Sequence, residues 1–183
     1  MPIPTISGNR MGKEVVALDC DMVGTGYGGK ISVVARVSVV DKDGQVLYNT
    51  FVRPRDNVQI KDYRTKFNGI TPQDLVNATP FEEAQNRVKS LLQGCVLVGH
   101  DFRKDLNLLY QPFQRYAKGY RPEALPSLRI LSEKVLGQSL EQGEQKSSVE
   151  DARTAMKIYM LHRTEWERRL GNTFEYKGNT EAA

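Results

Sequence analysis

The sequence predicts an α/β domain in which an antiparallel hairpin joins a partly parallel sheet and helices flank that sheet. Three observations support this fold class. A continuous apolar run leads into Asp19-Cys20-Asp21, which is typical of a strand buried on both faces. The β-rich segments 32–40 and 46–52 are separated by Asp43-Gly44, a hairpin-turn sequence. Helical spacing then dominates, interrupted by one short apolar strand at 95–99.

The length and composition indicate one soluble globular domain. The chain has 183 residues, 39% hydrophobic and 26% charged, and has no apolar run long enough to span a bilayer and no secretory pattern. Cys20 and Cys95 lie in apolar strand-like segments, which favours core thiols in a reducing, intracellular compartment. The net charge of +4 is compatible with a polyanionic partner. We expect a flexible leader at 1–12, a domain at 13–171 and a polar tail at 172–183.

Local start and stop signals predict the other elements. Residues 55–70 read as an irregular loop with a short helical turn, and Pro54 ends the strand before it. Hydroxyl side chains at predicted N-caps, followed by proline or acidic residues, indicate helix starts. The predicted helices begin at Thr71, Thr79, Asp101, Ser127 and Ser147, with Gly94 ending the second and Gly137 the fourth.

Two carboxylates mark the end of the first strand. Asp19 and Asp21 are two residues apart, so both point to the same side of a strand. They leave it at its C-terminal end, where open α/β sheets bind their ligands. Carboxylates this close repel unless a proton or a metal lies between them, and oxygen ligands suit Mg²⁺ or Mn²⁺. The alternative is a solvated Asp-x-Asp at a strand end.

Two further acids lie where this layout can converge. Asp105 is one helical turn beyond His100, and Asp151 is in the first turn of the last helix. Each alone is explained as a surface acid or a partner of the helix dipole. With Asp19 and Asp21 they make four carboxylates, which is the ligand supply that two divalent ions need for in-line phosphoryl chemistry.

Five ordered motifs, covering roughly residues 13–170, together resemble one known family. They resemble the DEDDh 3′–5′ exonuclease superfamily, in the branch of RNA exonuclease 4 and the interferon-stimulated 20 kDa exonuclease. This resemblance implies a ribonuclease H-like fold, Mg²⁺ or Mn²⁺, and release of nucleoside 5′-monophosphates from the 3′ end of RNA or single-stranded DNA. It also implies a nuclear or nucleolar location. The motifs are Ala17–Gly24, Asp62–Thr65, Val98–Asp101 with Asp105, Ser127–Lys134 and Ser147–Ala152.

The resemblance assigns roles position by position. Met22 and Arg64 fall where the family holds the ribose of the 3′-terminal nucleotide, although a surface salt bridge is the simpler interpretation of Arg64 alone. The four metal-binding acids of the family fall on Asp19, Asp21, Asp105 and Asp151.

Three departures from the family bear on activity. Asp21 replaces the usual glutamate, which shortens the reach of the carboxylate by about 1.5 Å. Lys146 occupies the position of the histidine general base, and an ordinary lysine with a pKa of about 10.4 stays protonated at neutral pH. Members of the family have a further strand with an Asp-Thr pair after the Asp105 helix. No such pattern lies between Leu109 and Pro126, which predicts that the sheet lacks this edge strand.

Two interpretations follow. In the first, the chain is a 3′–5′ exoribonuclease-type enzyme with weakened activity. In the second, it is an inactive pseudo-exonuclease that binds RNA or a protein partner. The changes at Asp21 and Lys146 favour the second. Retained metal-binding and 3′-end-binding positions favour the first, namely Asp19, Asp105, Asp151, Met22 and Arg64.

Overall fold

A computed structural model describes residues 14–55, 58–100, 126–140 and 147–178, with side chains described as far as residue 168. These residues confirm the predicted α/β fold. One mixed sheet has the strand order β4-β1-β2-β3-β5, and β6 pairs with β1 beside β4. The strands are β1 Val15–Thr25, β2 Ile31–Asp41, β3 Val46–Arg53, β4 Ile60–Asp62, β5 Thr79–Pro80 and β6 Val96–Val98.

The helices of the described residues flank this sheet. The predicted capping serines at 127 and 147 are confirmed, since Ser127 Oγ accepts from the Ile130 amide at 3.4 Å and Ser147 Oγ from the Glu150 amide at 3.4 Å. The helices are α1 Thr65–Asn68, α2 Phe81–Leu92, α3 Leu128–Leu131 continuing into a π-helical turn Ser132–Leu136, and α4 Ser148–Gly178.

The central strand β1 is buried on both faces, as its sequence predicts. It pairs antiparallel with β2 along its length, antiparallel with β4 at its end, and parallel with β6 at its start. On one face Val16 and Leu18 pack against Phe81, Ala84 and Val88 of α2. On the other face Val15 and Ala17 pack in a cluster with Val149, Ala152, Ala155, Met156 and Tyr159 of α4.

The predicted hairpin is confirmed, with Gly44 at φ +78° and its amide donating to Asp41 O at 3.1 Å. The predicted N-cap at Thr79 is wrong. Thr79 pairs with Val52 in the sheet, and its hydroxyl lies 2.8 Å from the Thr50 hydroxyl. The helix therefore begins at Phe81, and Pro80 at its N-cap makes no side-chain capping bond.

Several predicted features lie outside the described residues: the leader at 1–12, the helix from Asp101 and most of the stretch between Leu109 and Pro126. Helix α4 continues to Gly178, past the boundary predicted at residue 171. In the described part of the chain, no helix is long and apolar enough to cross a membrane.

Gly24→Ala is expected to lower the free energy of unfolding by about 3 kcal/mol, because an added Cβ would lie 2.2 Å from the carbonyl oxygen of Gly29. That atom belongs to the backbone and cannot turn aside. Gly94→Ala is the control, since its φ is +78° and no atom lies within 4 Å. Alanine in this left-handed conformation is expected to cost about 1 kcal/mol. Equal losses of the two variants in urea denaturation would contradict the close approach.

Candidate functional site

The two acids of β1 face helix α4. Asp19 lies opposite Ser38 of β2, and Asp21 lies opposite Arg36. Ala17, Asp19 and Asp21 are two residues apart along the strand, so they lie on one face. Because Ala17 packs in the α4-side cluster, both acids also face α4. Asp21 is 5% exposed, whereas Asp19 is half-buried. A register shift follows directly between Asp21 and Met22, so a bulge ends this face just beyond the acids.

The start of helix α4 docks on these acids. The Ser148 amide donates to Asp21 Oδ2 at 3.2 Å, joining two residues that are 127 positions apart. The Ser148 hydroxyl lies 2.8 Å from the buried Ser38 hydroxyl. Asp151, in the first turn of the same helix, is also buried. The serine contacts therefore bring Asp151 to the acids of β1. These acids lie within the strand and not at its C-terminal end as predicted, because pairing with β2 continues past the bulge to Thr25.

The electrostatics of Asp21 agree with this placement. Burial is the main cause that raises the pKa of Asp21 above 3.8, and the nearby Asp151 carboxylate raises it further. Hydrogen bonds from Ser148 and the charge of Arg36 act in the opposite direction. The two acids are thus close enough to repel, and a cation between them would relieve both the repulsion and the cost of burial.

Sequence reasoning missed the polar network that positions the site. Asn49 Oδ1 accepts from Arg36 Nε at 2.9 Å and from the Ser38 hydroxyl at 3.1 Å. The network therefore runs from Asp21 through Ser148 and Ser38 to β3. One signal could have found it: Ser38 is a fully buried hydroxyl between valines of a strand, and such a group requires a partner.

Met22 and Arg64 lie on connected segments. The Met22 carbonyl accepts from Asn68 Nδ2 at 3.0 Å, and Asn68 is the last residue of α1. Arg64 is the N-cap of α1, with φ +54°, and its amide donates to Asp62 Oδ1 at 2.9 Å. The segment that carries Arg64 is thus tied to the residue after Asp21.

The Arg64 side chain turns toward the Gly24–Gly29 turn. Its guanidinium donates to Ser32 Oγ at 3.0 Å and to Gly29 O at 3.3 Å. Both of these acceptors are neutral, so the contacts hold the side chain without neutralising its charge. The alternative of a surface salt bridge has no support among the described contacts.

Two predicted site residues, Asp105 and Lys146, lie outside the described residues. Lys146 directly precedes Ser147, which caps α4. His100 is near the end of β6, where its Nε2 lies 2.9 Å from the carbonyl oxygen of Pro126. Cys20 and Cys95 are free thiols, as predicted.

The described residues alone do not complete a metal site. Among them, no group of three or more His, Cys, Asp or Glu side chains lies close enough together to hold an ion. Their chemistry nevertheless fits a hard divalent cation, because Asp21 and Asp151 are buried, mutually repelling oxygen donors.

Curated proteins similar to this chain include RNA exonuclease 4 of Homo sapiens, 40% identical over 168 residues that make up 84% of this chain and 38% of that protein. RNA exonuclease 4 of Saccharomyces cerevisiae is 40% identical over 88% of this chain and 58% of its own length. The apoptosis-enhancing nuclease of Homo sapiens is 38% identical over 91% of this chain and 55% of its own length. The chain therefore spans about two fifths to three fifths of these relatives.

A solved structure with a similar fold is the Saccharomyces cerevisiae Pan2 pseudoubiquitin hydrolase-RNA exonuclease module in complex with AAGGA RNA. Its TM-score is 0.66 at 25% identity, over 94% of this chain and 33% of that one. The likeness confirms the ribonuclease H-like fold that the resemblance implies. The family model described as Exonuclease matches residues 16–159, which is most of the sequence. The chain therefore belongs to the exonuclease family.

Proposed function

We propose that this chain is a metal-dependent 3′–5′ exoribonuclease-type domain. Its activity is weakened because Asp21 and Lys146 replace the residues that the family has at these positions. The observation that supports this most is the bond between the Ser148 amide and Asp21 Oδ2. It brings the acids of β1 and the helix of Asp151 together. The RNA exonuclease 4 relatives and the RNA-bound Pan2 module support RNA as the substrate class.

In this proposal, Asp19, Asp21, Asp105 and Asp151 hold Mg²⁺ or Mn²⁺. The bound ions supply positive charge to the scissile phosphate and lower the pKa of the attacking water. Met22 and Arg64 hold the ribose of the 3′-terminal nucleotide. The nuclear or nucleolar location implied by the resemblance is part of the same proposal.

Inactivity is the second candidate, and two residues favour it. Lys146 stands where the family has a histidine base, and a protonated lysine cannot accept a proton from water. Asp21 is shorter than the usual glutamate, and one of its oxygens already accepts from Ser148. A pseudo-exonuclease would keep the fold and bind RNA or a protein partner without turnover.

Shortening of a 5′-labelled single-stranded RNA in the presence of Mn²⁺ tests the first candidate. We expect slow shortening from the 3′ end, yielding nucleoside 5′-monophosphates, and complete arrest on addition of EDTA. The same RNA blocked by a 3′-phosphate is the control for direction. RNA binding with no shortening at any enzyme concentration would contradict the first candidate and support the pseudo-exonuclease. Cleavage that persists in EDTA would contradict the metal assignment.

Arg64→Ala is expected to weaken RNA binding by about tenfold, and to weaken binding of DNA of the same sequence less. A lost hydrogen bond from a charged group has this magnitude, and the 2′-hydroxyl distinguishes the two nucleic acids. Arg87→Ala, which removes an exposed arginine of α2, is the control for lost charge. Equal losses for RNA and DNA in fluorescence anisotropy would argue against a ribose contact.

A further inference from the structure

Two aromatic side chains project into solvent where the central strand ends. Tyr27 lies in the short 3₁₀ turn after β1 and is 93% exposed. Phe67 lies in α1 and is 72% exposed. Neither side chain contributes to any of the three hydrophobic clusters of the described residues. Burial of these two rings therefore contributes little to the stability of the fold.

Arg64 connects the two segments that carry these rings. Its guanidinium donates to Gly29 O at 3.3 Å, in the turn of Tyr27. Its carbonyl accepts from the Phe67 amide at 2.8 Å, in the first turn of α1. The turn is also packed tightly against β4, since a Cβ on Gly29 would lie 2.8 Å from Asp62 Cβ. Both rings are therefore presented from one braced edge of the sheet.

The charge of this edge suits a polyanion. Residues 26–32 and 60–68 contain four basic side chains and one acidic side chain. The single acid, Asp62, accepts a hydrogen bond from the Arg64 amide at 2.9 Å. Three exposed lysines and the half-buried Arg64 flank the exposed rings. Proteins bind single-stranded nucleic acids through such an arrangement, by stacking and by backbone charge. The four basic residues are Lys30, Lys61, Arg64 and Lys66.

We infer that Tyr27 and Phe67, with these flanking cations, form a stacking platform for single-stranded RNA, an inference that rests on the proposed function. The platform binds bases that lie upstream of the 3′-terminal nucleotide. Arg64, which the proposed function places at the 3′-terminal ribose, also donates to Gly29 O in the turn of Tyr27. The platform therefore lies beside that nucleotide and binds the bases next to it.

Fluorescence anisotropy with a 5′-labelled single-stranded RNA octamer tests the platform, in EDTA to prevent cleavage. Tyr27→Ala and Phe67→Ala are each expected to weaken binding by about tenfold, which is the loss of one stacked base. Tyr27→Trp should restore wild-type affinity. Leu161→Ala, which truncates a 62% exposed apolar residue on α4, is the matched control and should bind like wild type.

Two further probes separate stacking from charge. An octamer with abasic sites upstream of its 3′ end should bind wild type and Tyr27→Ala equally, because no base remains to stack. Tyr27→Ala should keep the salt dependence of wild type, whereas Lys66→Ala should reduce its slope, since only the lysine neutralises phosphate.

The outcomes distinguish the platform from the catalytic proposal. RNA binding that depends on Tyr27 without any nucleotide release would support the platform and contradict turnover. Nucleotide release by Tyr27→Ala and Phe67→Ala with unchanged octamer affinity would overturn the platform and leave the enzyme. Self-association of the wild type that both substitutions abolish, with RNA affinity unchanged, would assign the rings to a protein interface and overturn the platform.

Discussion

Lys146→His is expected to raise the initial rate of nucleotide release from RNA by about 10²–10⁴-fold, which is the contribution of a positioned general base. An ordinary lysine, with a pKa of about 10.4, is protonated at neutral pH and cannot accept a proton from water. An imidazole with a pKa of about 6.5 is neutral above that pH and can accept the proton of the attacking water. The rate of the variant should therefore rise with pH through this value.

The position of Lys146 limits what else the substitution changes. It directly precedes Ser147, whose hydroxyl caps α4, and it is two residues before Ser148, whose amide holds Asp21. The cap and the contact to Asp21 use other residues and should survive. Lys157→His, on the exposed side of α4, is the control for adding a histidine.

Asp21→Glu alone should raise the rate less than Lys146→His does, because it restores ligand reach and no base. The double variant should gain more than the sum of the two free-energy effects, since ligand and base act on the same water. Rates for the four proteins on one RNA at one pH measure this coupling. Strong wild-type turnover that falls on Lys146→His would reject the assignment and give the lysine a different role.

Much of the fold was predictable because its signals are local. The apolar run of β1, the Asp43-Gly44 turn and the serine caps at 127 and 147 each specify structure within a few residues. Strands β4 and β5 were not predicted. They are two or three residues long, and only their pairing with β1 and β3 makes them strands. Tertiary pairing also overrode the helix-capping tendency of Thr79.

At the candidate site, too, local features were predictable and tertiary contacts were not. The spacing of Asp19 and Asp21 predicted that they share a face, and the capping box placed Asp151 in a helix first turn. The partners that position them could not be read from sequence. Ser148 and Ser38 are 110 residues apart, and their contact exists only once α4 packs on the sheet. The left-handed backbone of Arg64, at the N-cap of α1, likewise has no local signal in the sequence.

Asp21→Asn is expected to abolish Mn²⁺ binding measured by calorimetry and to raise the thermal stability of the metal-free protein at pH 7. The amide oxygen of asparagine can still accept from the Ser148 amide, so the docking of α4 should persist. The charge that burial and Asp151 make unfavourable is removed. One substitution should therefore move ion affinity and stability in opposite directions, as expected where function maintains a costly buried charge.

The stability difference between wild type and Asp21→Asn depends on pH with a defined sign. The pKa of Asp21 in the folded protein is raised above 3.8, so its contribution to stability is complete below that pH and is lost as pH rises through the folded value. The melting temperatures of wild type and Asp21→Asn in EDTA should therefore be similar at acidic pH and separate as pH increases. Arg36→Gln should widen the gap, because the Arg36 charge lowers the pKa of Asp21 and stabilises the carboxylate. A gap that stays constant with pH, or ion binding that survives in Asp21→Asn, would show that Asp21 is not the buried ligand proposed.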